Sequence, residues 1–273
     1  MNPLLTIIIP TYNSENTVKN AIDSILSQTF KEYEILIIDN QSRDETIPLV
    51  QQYMLNYNSV RYISEKDNGI YDAMNKGISL AKGEWVYFLG SDDRLFGKDT
   101  IEEIFSNKDN LLVQVLYGNV SRPGHEKYDG EFDPEKLYGQ NICHQAIFFK
   151  KSLFEITGKF TIKYKSAADW EHNIKWFLNP GIKKKYMDVI VAYHAAGGFS
   201  YLYKDEAFKQ DKEKLFLKYG RGMIPAGLKT ALLKIVAYKA YANREYLNMI
   251  PYLTKYFICK FKLKIKNDSK TTK

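Results

Sequence analysis

The chain contains 273 residues, is 45% hydrophobic and 26% charged, and carries a net charge of +7. This length and composition provide for a substantial core, in one large domain or in one domain with an appendage. No run of 18 apolar residues is present, which excludes a membrane-spanning helix. The two cysteines, Cys143 and Cys259, form neither a disulfide nor a metal-binding pattern. Because an apolar strand follows the N-terminus without a basic and apolar leader, we expect a protein of the reducing cytoplasm.

Strands and helices alternate through the first half of the chain. Short apolar runs predict strands over residues 4–10, 34–39, 60–64, 85–89 and 112–117. Helical periodicity predicts a first helix, with Val18, Ile22, Ile25 and Leu26 on its apolar face, and further helices over residues 45–56, 71–81 and 100–105. Ser14 and Asp44 are the expected N-caps of the first two helices. This order predicts an α/β fold with a mostly parallel sheet and helices on both faces.

From about residue 119 the alternation gives way to a different pattern. Residues 119–145 are rich in Gly, Asp and His, and we expect them to form loops over the functional site. Beyond them the pattern predicts strands over 147–149 and 189–193, helices over 170–177, 206–219 and 226–248, and a last helix with Pro251 in its first turn. We therefore divide the chain into a main domain, residues 1–205, and a C-terminal helical region, residues 206–273.

Three of the predicted strands end in polar clusters, at residues 10–13, 39–42 and 91–93. The carboxyl ends of parallel strands meet at one edge of a sheet, where open α/β sheets bind ligands. The third cluster contains the adjacent carboxylates Asp92 and Asp93. Unpaired carboxylates are costly to bury, so a divalent cation that bridges to a diphosphate is their natural partner. The alternative is a pair that caps the next helix.

The first turn between a strand and a helix limits which nucleotide can bind at this edge. It reads Pro-Thr-Tyr-Asn-Ser over residues 10–14 and contains no glycine, whereas dinucleotide folds use G-x-G-x-x-G there. The chain also lacks the G-x-x-x-x-G-K-[ST] motif of phosphate-binding loops. A bound phosphate would therefore be held by a metal ion and by side chains, which favours a nucleotide sugar over NAD or ATP.

Four ordered motifs resemble those of a known family. They are I-I-I-P-T-Y-N (7–13), I-I-D-N-Q-S-R-D (37–44), D-N-G-I-Y-D-A-M-N-K-G (67–77) and F-L-G-S-D-D (88–93). Over about residues 4–200 the chain resembles the inverting family 2 glycosyltransferases of GT-A fold. It is most similar to the small bacterial enzymes that build O-antigen, capsule or exopolysaccharide repeat units, which share its His144-Gln145 pair and its G-G-x-S motif (197–200). The resemblance implies that residues 1–205 are a GT-A catalytic domain.

The resemblance implies a nucleotide-sugar site at the strand ends. Asp39 would accept a hydrogen bond from the N–H of a uracil ring, with a loop cap as the alternative. Asp93 would hold Mn²⁺ or Mg²⁺ on the diphosphate, and Asp92 would contact the ribose. Lys66 would meet a phosphate or remain solvated. The remaining implied contacts to the nucleotide sugar are Pro10, Thr11, Asn13, Glu15, Asp67, Asp72 and Asn75.

The resemblance also implies residues that act on the acceptor. Asp169 stands where the family has its general base, which takes the proton of the acceptor hydroxyl as its oxygen attacks the anomeric carbon. The alternative for Asp169 is a cap of the 170–177 helix. Glu171 is a weaker candidate for the base, because it faces elsewhere. His144, Gln145 and Trp170 would contact the acceptor or the diphosphate, with structural packing as the alternative for His144 and Trp170, and His194 could approach the metal ion.

The net positive charge of the chain lies near the C-terminus. Residues 225–273 contain eleven Lys and Arg residues against two acidic ones, so the rest of the chain is slightly acidic. A basic segment fits a membrane surface, nucleic acid or plain solubility. Helical spacing combines the lysines with an apolar stripe, which suits an interfacial membrane helix, whereas packing of the stripe on the main domain is the alternative. The stripe consists of Tyr246, Ile250, Leu253, Phe257 and Phe261.

The motifs and the family resemblance that they carry imply a glycosyltransferase. It would move a single hexose from a nucleotide sugar, with UDP as the expected nucleotide, to a polyprenyl-diphosphate-linked saccharide. Processive synthases of the family carry membrane spans and a Gln-x-x-Arg-Trp motif, and this chain has neither. We expect the enzyme at the inner face of the plasma membrane, bound through its basic C-terminal helices, and we expect no nucleic-acid partner. The alternatives are a sugar-phosphate nucleotidyltransferase, which would need a glycine-rich first turn, and a catalytically silent nucleotide-sugar-binding scaffold.

Overall fold

A mixed β-sheet with helices on both faces organises the chain. The computed structural model describes residues 3–195 and 203–271. The first strands are β1 (Leu5–Thr11), β2 (Tyr33–Asp39), β3 (Val60–Ser64) and β4 (Trp85–Phe88). The helices between them are α1 (Val18–Leu26), α2 (Thr46–Asn56) and α3 (Ile70–Leu80). These four strands are parallel in the order β3-β2-β1-β4, which confirms the predicted alternation.

The second half of the main domain extends the sheet with strands of both directions. Its elements are β5 (Arg94–Leu95), α4 (Thr100–Phe105), β6 (Val115–Arg122), β7 (His125–Tyr128), α5 (Pro134–Gly139), β8 (Ile147–Lys150), α6 (Leu153–Thr157), α7 (Ala168–Phe177) and β9 (Lys184–Tyr193). Strand β8 is antiparallel to both β4 and β6, and β9 is parallel to β6. Short 3₁₀ helices occupy Lys108–Leu112 and His144–Ala146.

The predictions for residues 112–145 were wrong in two respects. The strand predicted over 112–117 begins at Val115 and continues to Arg122, and the expected loops contain the β6–β7 hairpin and α5. Polar residues inside β6 concealed this strand. Asn119 is fully buried there, and its Nδ2 donates to the hydroxyl of Tyr186 at 3.0 Å. A buried amide that is hydrogen-bonded in this way is compatible with a central strand.

Alternating residues of β1 supply two separate cores, one on each face of the sheet. Ile7 and Ile9 belong to the core beneath α1, and Ile8 belongs to the core beneath α3. Helix α3 approaches β1 closely at Gly77, where an added Cβ would lie 2.5 Å from Cγ2 of Ile8. This close approach brings the first turn of α3, with Tyr71, to the carboxyl edge of the strands.

The C-terminal region consists of α8 (Glu206–Tyr219), α9 (Ala226–Ala242) and α10 (Tyr246–Thr271). Helix α8 packs on α7 and buries Phe208 and Phe216 in the core of the main domain. The predicted helix over 226–248 ends early, because Arg244 adopts φ = 61° in the left-handed region between α9 and α10. Pro251 therefore lies inside α10 and not in its first turn. No helix within the described residues is long and apolar enough to span a membrane.

Candidate active site

Two adjoining cavities lie at the carboxyl ends of the parallel strands. The strand-end cavity, of about 520 Å³, is bounded by the loops after β1, β2 and β4. The helix cavity, of about 660 Å³, is bounded by the 3₁₀ turn at His144 and by helices α7 and α8. Five residues line both cavities and mark the junction between them: His144, Gln145, Ser166, Asp169 and His194.

The structure gathers most of the predicted site residues around these cavities. The strand-end cavity is lined by Pro10, Thr11, Asn13, Asp67, Asp92 and Asp93. Trp170 lines the helix cavity, and His144, Gln145 and Asp169 line both. Five predicted residues lie outside both linings: Glu15, Asp39, Lys66, Asp72 and Asn75. The G-G-x-S motif (197–200) lies outside the described residues.

Asp39 is fully buried, and its carboxylate joins the ends of the first three strands. Its Oδ1 accepts hydrogen bonds from the hydroxyls of Thr11 and Ser42, and its Oδ2 accepts from the Ser42 amide at 3.0 Å and the Ser64 hydroxyl at 2.6 Å. The next residue, Asn40, lines the strand-end cavity. Sequence reasoning missed Asn40. The signal that could have found it is the alternation of side chains along a strand. Neighbouring side chains point in opposite directions, so Asp39 and Asn40 could not both face the cavity.

The other four residues outside the linings support the loops around the cavity. Oε2 of Glu15 accepts from the Glu45 amide at 2.9 Å, and Oδ2 of Asp72 accepts from the Asn68 amide at 2.9 Å. Asn75 exchanges hydrogen bonds with the backbone of Phe160, and Lys66 is exposed.

The loop after β1 is held by its neighbours in a way that the sequence did not predict. Asn13 adopts φ = 48°, and its Oδ1 accepts from the Arg43 amide at 2.9 Å. The predicted N-cap at Ser14 was wrong, since the cap position of α1 is Thr17 and the Ser14 hydroxyl faces that of Ser91 at 2.9 Å. The predicted N-cap at Asp44 was wrong by one residue, since the cap position of α2 is Glu45, although Oδ1 of Asp44 does accept from the amide of Thr46 at 3.1 Å.

The two adjacent aspartates have different surroundings. Asp93 is only 2% exposed, and its Oδ2 accepts from Nε2 of Gln145 at 2.7 Å. Its Oδ1 accepts from the amide of Ala195 at 2.9 Å and faces Nδ1 of His194 at 3.2 Å. Burial opposes ionisation of Asp93, but these hydrogen bonds prevail and lower its pKa. Burial and the charge of Asp93 raise the pKa of Asp92, whose carboxylate borders the strand-end cavity.

His194 connects Asp93 to the cavity. The hydrogen bond with Asp93 raises the pKa of His194 and occupies Nδ1, and the His194 side chain lines both cavities. A carboxylate behind an imidazole is the usual support for a metal-binding histidine. Within the described residues no cluster of three or more His, Cys, Asp or Glu side chains is suited to a metal ion. Asp92 and His194 therefore fit a metal ion only if a bound ligand supplies the remaining oxygens.

Asp169 lies at the junction of the two cavities, in the first turn of α7. Its Oδ1 accepts from the Tyr71 hydroxyl at 2.8 Å, and its Oδ2 accepts from Nδ2 of Asn141 at 2.8 Å. Nδ1 of His144 lies 3.7 Å from the same Oδ2. Burial, followed by the charge of Asp169, raises the pKa of Tyr71 well above its usual value, so this phenol stays protonated.

Two alternatives for this helix are resolved by the geometry. The cap position of α7 is Ala167 and has no side-chain cap, so Asp169 does not cap the helix. Glu171 is 5% exposed, forms an ion pair with Lys175 at 2.8 Å and lines neither cavity. Trp170 both packs and lines the helix cavity: its Nε1 donates to the carbonyl of Leu137 at 2.9 Å, and its ring lies 5.2 Å from that of Phe208.

The comparisons with known proteins agree with this architecture. The model of glycosyl transferase family 2 matches residues 6–173. The chain therefore belongs to glycosyl transferase family 2. It is 37% identical over 211 residues to the PGL/p-HBAD biosynthesis glycosyltransferase of Mycobacterium tuberculosis, covering 76% of this chain and 82% of the relative. It is 30% identical over 181 residues to the chondroitin synthase of Escherichia coli, covering 63% of this chain and 26% of that longer protein.

Two solved structures show the same fold. S. aureus TarS 1–349 in complex with UDP-GlcNAc has a TM-score of 0.63 at 19% identity, and the match covers 94% of this chain and 72% of TarS. The mannosyltransferase PcManGT of Pyrobaculum calidifontis, in complex with GDP-Man and Mn²⁺, has a TM-score of 0.58 at 19% identity, with 98% of this chain and 80% of that chain covered. The predicted GT-A fold with C-terminal helices is thus confirmed, and the protein is a glycosyltransferase.

Proposed function

We propose that this protein transfers one hexose, with inversion, from a UDP-sugar to a polyprenyl-diphosphate-linked saccharide in the biosynthesis of a bacterial surface polysaccharide such as O-antigen or capsule. The observation that carries the proposal is the position of Asp169 between two adjoining cavities. A single carboxylate can there reach a donor in the strand-end cavity and an acceptor in the helix cavity.

The strand-end cavity holds the nucleotide sugar in this proposal. UDP-GlcNAc and GDP-Man are bound by the structural relatives TarS and PcManGT, which supports a nucleotide-sugar donor. We assign the nucleobase contact to Thr11 and Asn40, which line the cavity, and we assign to Asp39 the task of holding Thr11 in place. The amide of Asn40 offers both a donor and an acceptor to the edge of a base.

Asp92 and His194 hold Mn²⁺ or Mg²⁺ together with the donor diphosphate. The support is that Asp92 and His194 line the cavity, whereas both oxygens of Asp93, which also lines it, are engaged by Gln145, His194 and Ala195. The role first assigned to Asp93 thus passes to Asp92, and Asp93 orients His194. When bound, the metal ion neutralises the negative charge of the departing diphosphate.

Asp169 is the general base. The acceptor hydroxyl gives its proton to Asp169 while its oxygen forms a bond to the anomeric carbon of the donor sugar. The bond between that carbon and the diphosphate oxygen breaks on the opposite side, and UDP leaves. Attack from the face opposite to the leaving group inverts the anomeric configuration.

The helix cavity receives the acceptor saccharide, and the C-terminal helices bring the enzyme to the membrane. Several large apolar side chains of α10 are exposed, including Leu247 (84%) and Phe261 (66%). Lysines 255, 260, 262 and 264 share this helix. An apolar face together with cations favours an anionic lipid surface, where a lipid-linked acceptor resides at the cytoplasmic face.

A donor screen tests the proposed function against its two alternatives. The purified protein, Mn²⁺ and an extract of lipid-linked acceptors are incubated with UDP-glucose, UDP-galactose, UDP-GlcNAc, GDP-mannose or sugar 1-phosphate plus nucleoside triphosphate. We expect release of UDP from one UDP-sugar, together with an acceptor that is heavier by one sugar. Release of pyrophosphate would indicate a nucleotidyltransferase, and donor binding without release would indicate a silent scaffold.

A further inference from the structure

A chain of side-chain hydrogen bonds runs from the core beneath α7 to Asp169. Nε1 of Trp176 donates to Oδ1 of Asn173 at 2.9 Å, and Nδ2 of Asn173 donates to Oδ1 of Asn141 at 2.8 Å. Nδ2 of Asn141 then donates to Oδ2 of Asp169 at 2.8 Å. Asp169, Asn173 and Trp176 share one face of α7, since they are spaced by four and three residues. Asn141, in the loop after α5, links Asp169 to Asn173.

Along this chain of hydrogen bonds, the donor and the acceptor of each bond are fixed. An indole N–H can only donate, so Asn173 must turn its oxygen towards Trp176. The amide nitrogen of Asn173 also donates to the carbonyl of Ile142 at 3.0 Å, and a backbone carbonyl can only accept. Asn141 must therefore turn its oxygen towards Asn173 and its NH₂ group towards Asp169. The orientation of both amides follows from Trp176 and Ile142 and does not depend on the state of Asp169.

Burial makes this direction costly to reverse. Trp176 is fully buried and Asn173 is 1% exposed, so neither side chain can exchange its partner for water. Removing the partner of a buried donor or acceptor costs more free energy than an average hydrogen bond contributes. On the other side of Asp169, the Tyr71 hydroxyl donates to Oδ1, and the backbone amides of Ala168 and Asp169 face the same phenol oxygen.

We propose that Asn141 and Asn173 are positioning residues that keep Asp169 a hydrogen-bond acceptor and aim it at the junction of the two cavities. Asn173 acts through Asn141 and contacts neither cavity. The two donors, Asn141 and Tyr71, each engage one oxygen of the carboxylate and fix its plane, while the second lone pair of each oxygen stays available. The orientation of Asp169 by these residues does not depend on the proposed function. Only its effect on catalysis rests on the proposed role of Asp169 as the base.

The consequence is that Asp169 presents its free lone pairs in one fixed orientation to the junction of the two cavities. A fixed orientation favours transfer of a proton from an acceptor hydroxyl, because the reacting atoms then meet in the geometry that the reaction needs. The other polar groups that face Asp169 are Tyr71 on α3, Cys143 and His144 at the 3₁₀ turn, and His172 on α7. None of them is altered by substitution of Asn141 or Asn173.

The ¹³C NMR signal of the Asp169 carboxyl carbon at neutral pH, assigned with Asp169→Asn, tests the inference without any need for catalysis. We expect Asn141→Ala to shift this signal, because the carboxylate loses one of its two side-chain donors. Asn173→Leu, which preserves volume and frees Asn141 to turn, should shift it by less. Asn110→Ala removes a comparably buried amide far from the site and should leave the signal unchanged. An unchanged signal in Asn141→Ala and Asn173→Leu, in proteins with wild-type NMR spectra elsewhere, would overturn the inference.

The split between kcat and donor affinity separates this inference from the proposed function. Asn141→Ala should lower kcat by about 10-fold, because the base loses a hydrogen bond that orients it, while the Kd for the UDP-sugar stays close to that of the wild type. A purely structural defect would instead weaken donor binding and lower the melting temperature as well. If the NMR signal shifts but kcat does not change, the hydrogen-bond chain stands and the assignment of Asp169 as the base fails.

Discussion

At the scale of single residues, Asp92 and Asp93 illustrate how adjacent carboxylates acquire different tasks. The chain turns after β4, so Asp93 enters the protein and meets Gln145 and His194, while Asp92 faces the cavity. A carboxylate whose oxygens are already engaged serves a metal site through the residue that it orients. A pair of aspartates in a sequence does not reveal which of the two turns inwards.

This division of tasks predicts a graded response to metal. We expect EDTA to abolish transfer and Mn²⁺ to restore it. Asp92→Asn should raise the Mn²⁺ concentration for half-maximal transfer by more than about 100-fold, because it removes a direct ligand. Asp93→Asn should raise it by about 10–100-fold, the usual effect of removing the support of a ligand. Metal titrations of transfer rate measure both values.

Asp109→Asn, an exposed substitution remote from the cavity, is the matched control and should leave the titration unchanged. Full transfer in EDTA would contradict the metal assignment altogether. A larger loss of metal affinity in Asp93→Asn than in Asp92→Asn would return the direct role to Asp93.

Asp39 and Asn40 mark how far the donor site could be predicted from sequence. The motif located the end of β2 and hence the correct edge of the sheet, and five residues implied for the nucleotide sugar line the strand-end cavity together with Asp93, the predicted metal ligand. Which neighbour faces the cavity depends on the serines at 42 and 64, whose hydroxyls bind Asp39 only once three strands have come together. Contacts of such long range leave no local pattern.

At the scale of elements, Glu34 joins the three strands at the start of the sheet. On β2 it accepts from the hydroxyl of Thr6 on β1 at 2.6 Å, from the amide of Lys82 at 2.7 Å and from Nε of Arg61 on β3 at 2.8 Å. Burial alone would raise the pKa of Glu34, but these hydrogen bonds prevail and lower it below its ordinary value of 4.5.

Glu34→Gln should lower the free energy of unfolding by about 1–3 kcal/mol at pH 7, because a buried charge-assisted network loses its acceptor. The pKa of Glu34 is lower in the folded than in the unfolded chain, so its contribution is complete above pH 4.5 and is lost as the pH falls through the folded value. Urea unfolding at several pH values measures this. Glu32→Gln, an exposed neighbour, is the control, and a difference between the wild type and Glu34→Gln that does not shrink as the pH falls below 4.5 would contradict the prediction.

Helix α10 is the element assigned to the membrane. Replacement of Lys255, Lys260 and Lys262 by Gln should weaken binding to vesicles that contain anionic lipid, because each lysine near such a surface contributes about 1 kcal/mol. Truncation after Ile250 should weaken binding further and should slow transfer to a long-chain lipid acceptor more than to a short-chain analogue. Co-sedimentation with vesicles at low and high salt measures the binding.

A matched control replaces three exposed lysines of the main domain, Lys19, Lys98 and Lys108, by Gln and removes the same charge. Equal binding by the two triple variants would indicate that only net charge matters. Binding that survives truncation, or that is insensitive to salt, would leave α10 with a packing role.

The bounds of the elements with a regular apolar period could be predicted from the sequence, whereas those of the irregular elements could not. Strands β1 to β4 and helices α2 to α4 lie within about two residues of their predicted bounds, because each carries a clear apolar period. The prediction ended β6 too early because Asn119 and Ser121 interrupt its apolar run. It extended α9 too far because no sequence pattern indicates the left-handed turn at Arg244. Both features are stabilised by partners distant in the chain.

At the scale of the whole molecule, the function depends on the meeting of two halves. Strands β1 to β4 build the strand-end cavity, and the helices after residue 130 build the helix cavity. Tyr71 from the first half and Asn141 from the second bind the same carboxylate. The motifs predicted each half separately, but the sequence had no means of indicating that Tyr71 would contact Asp169 across 98 residues.

The most direct test of the account is the rate of sugar transfer by Asp169→Asn, measured together with its affinity for the UDP-sugar. The substitution preserves shape and removes the proton acceptor, so we predict a loss of about 10²–10⁴-fold in kcat with a donor Kd close to that of the wild type. Glu171→Gln, two residues along the same helix, should retain most of the activity if its melting temperature is preserved. Transfer at a near-normal rate by Asp169→Asn would contradict the account.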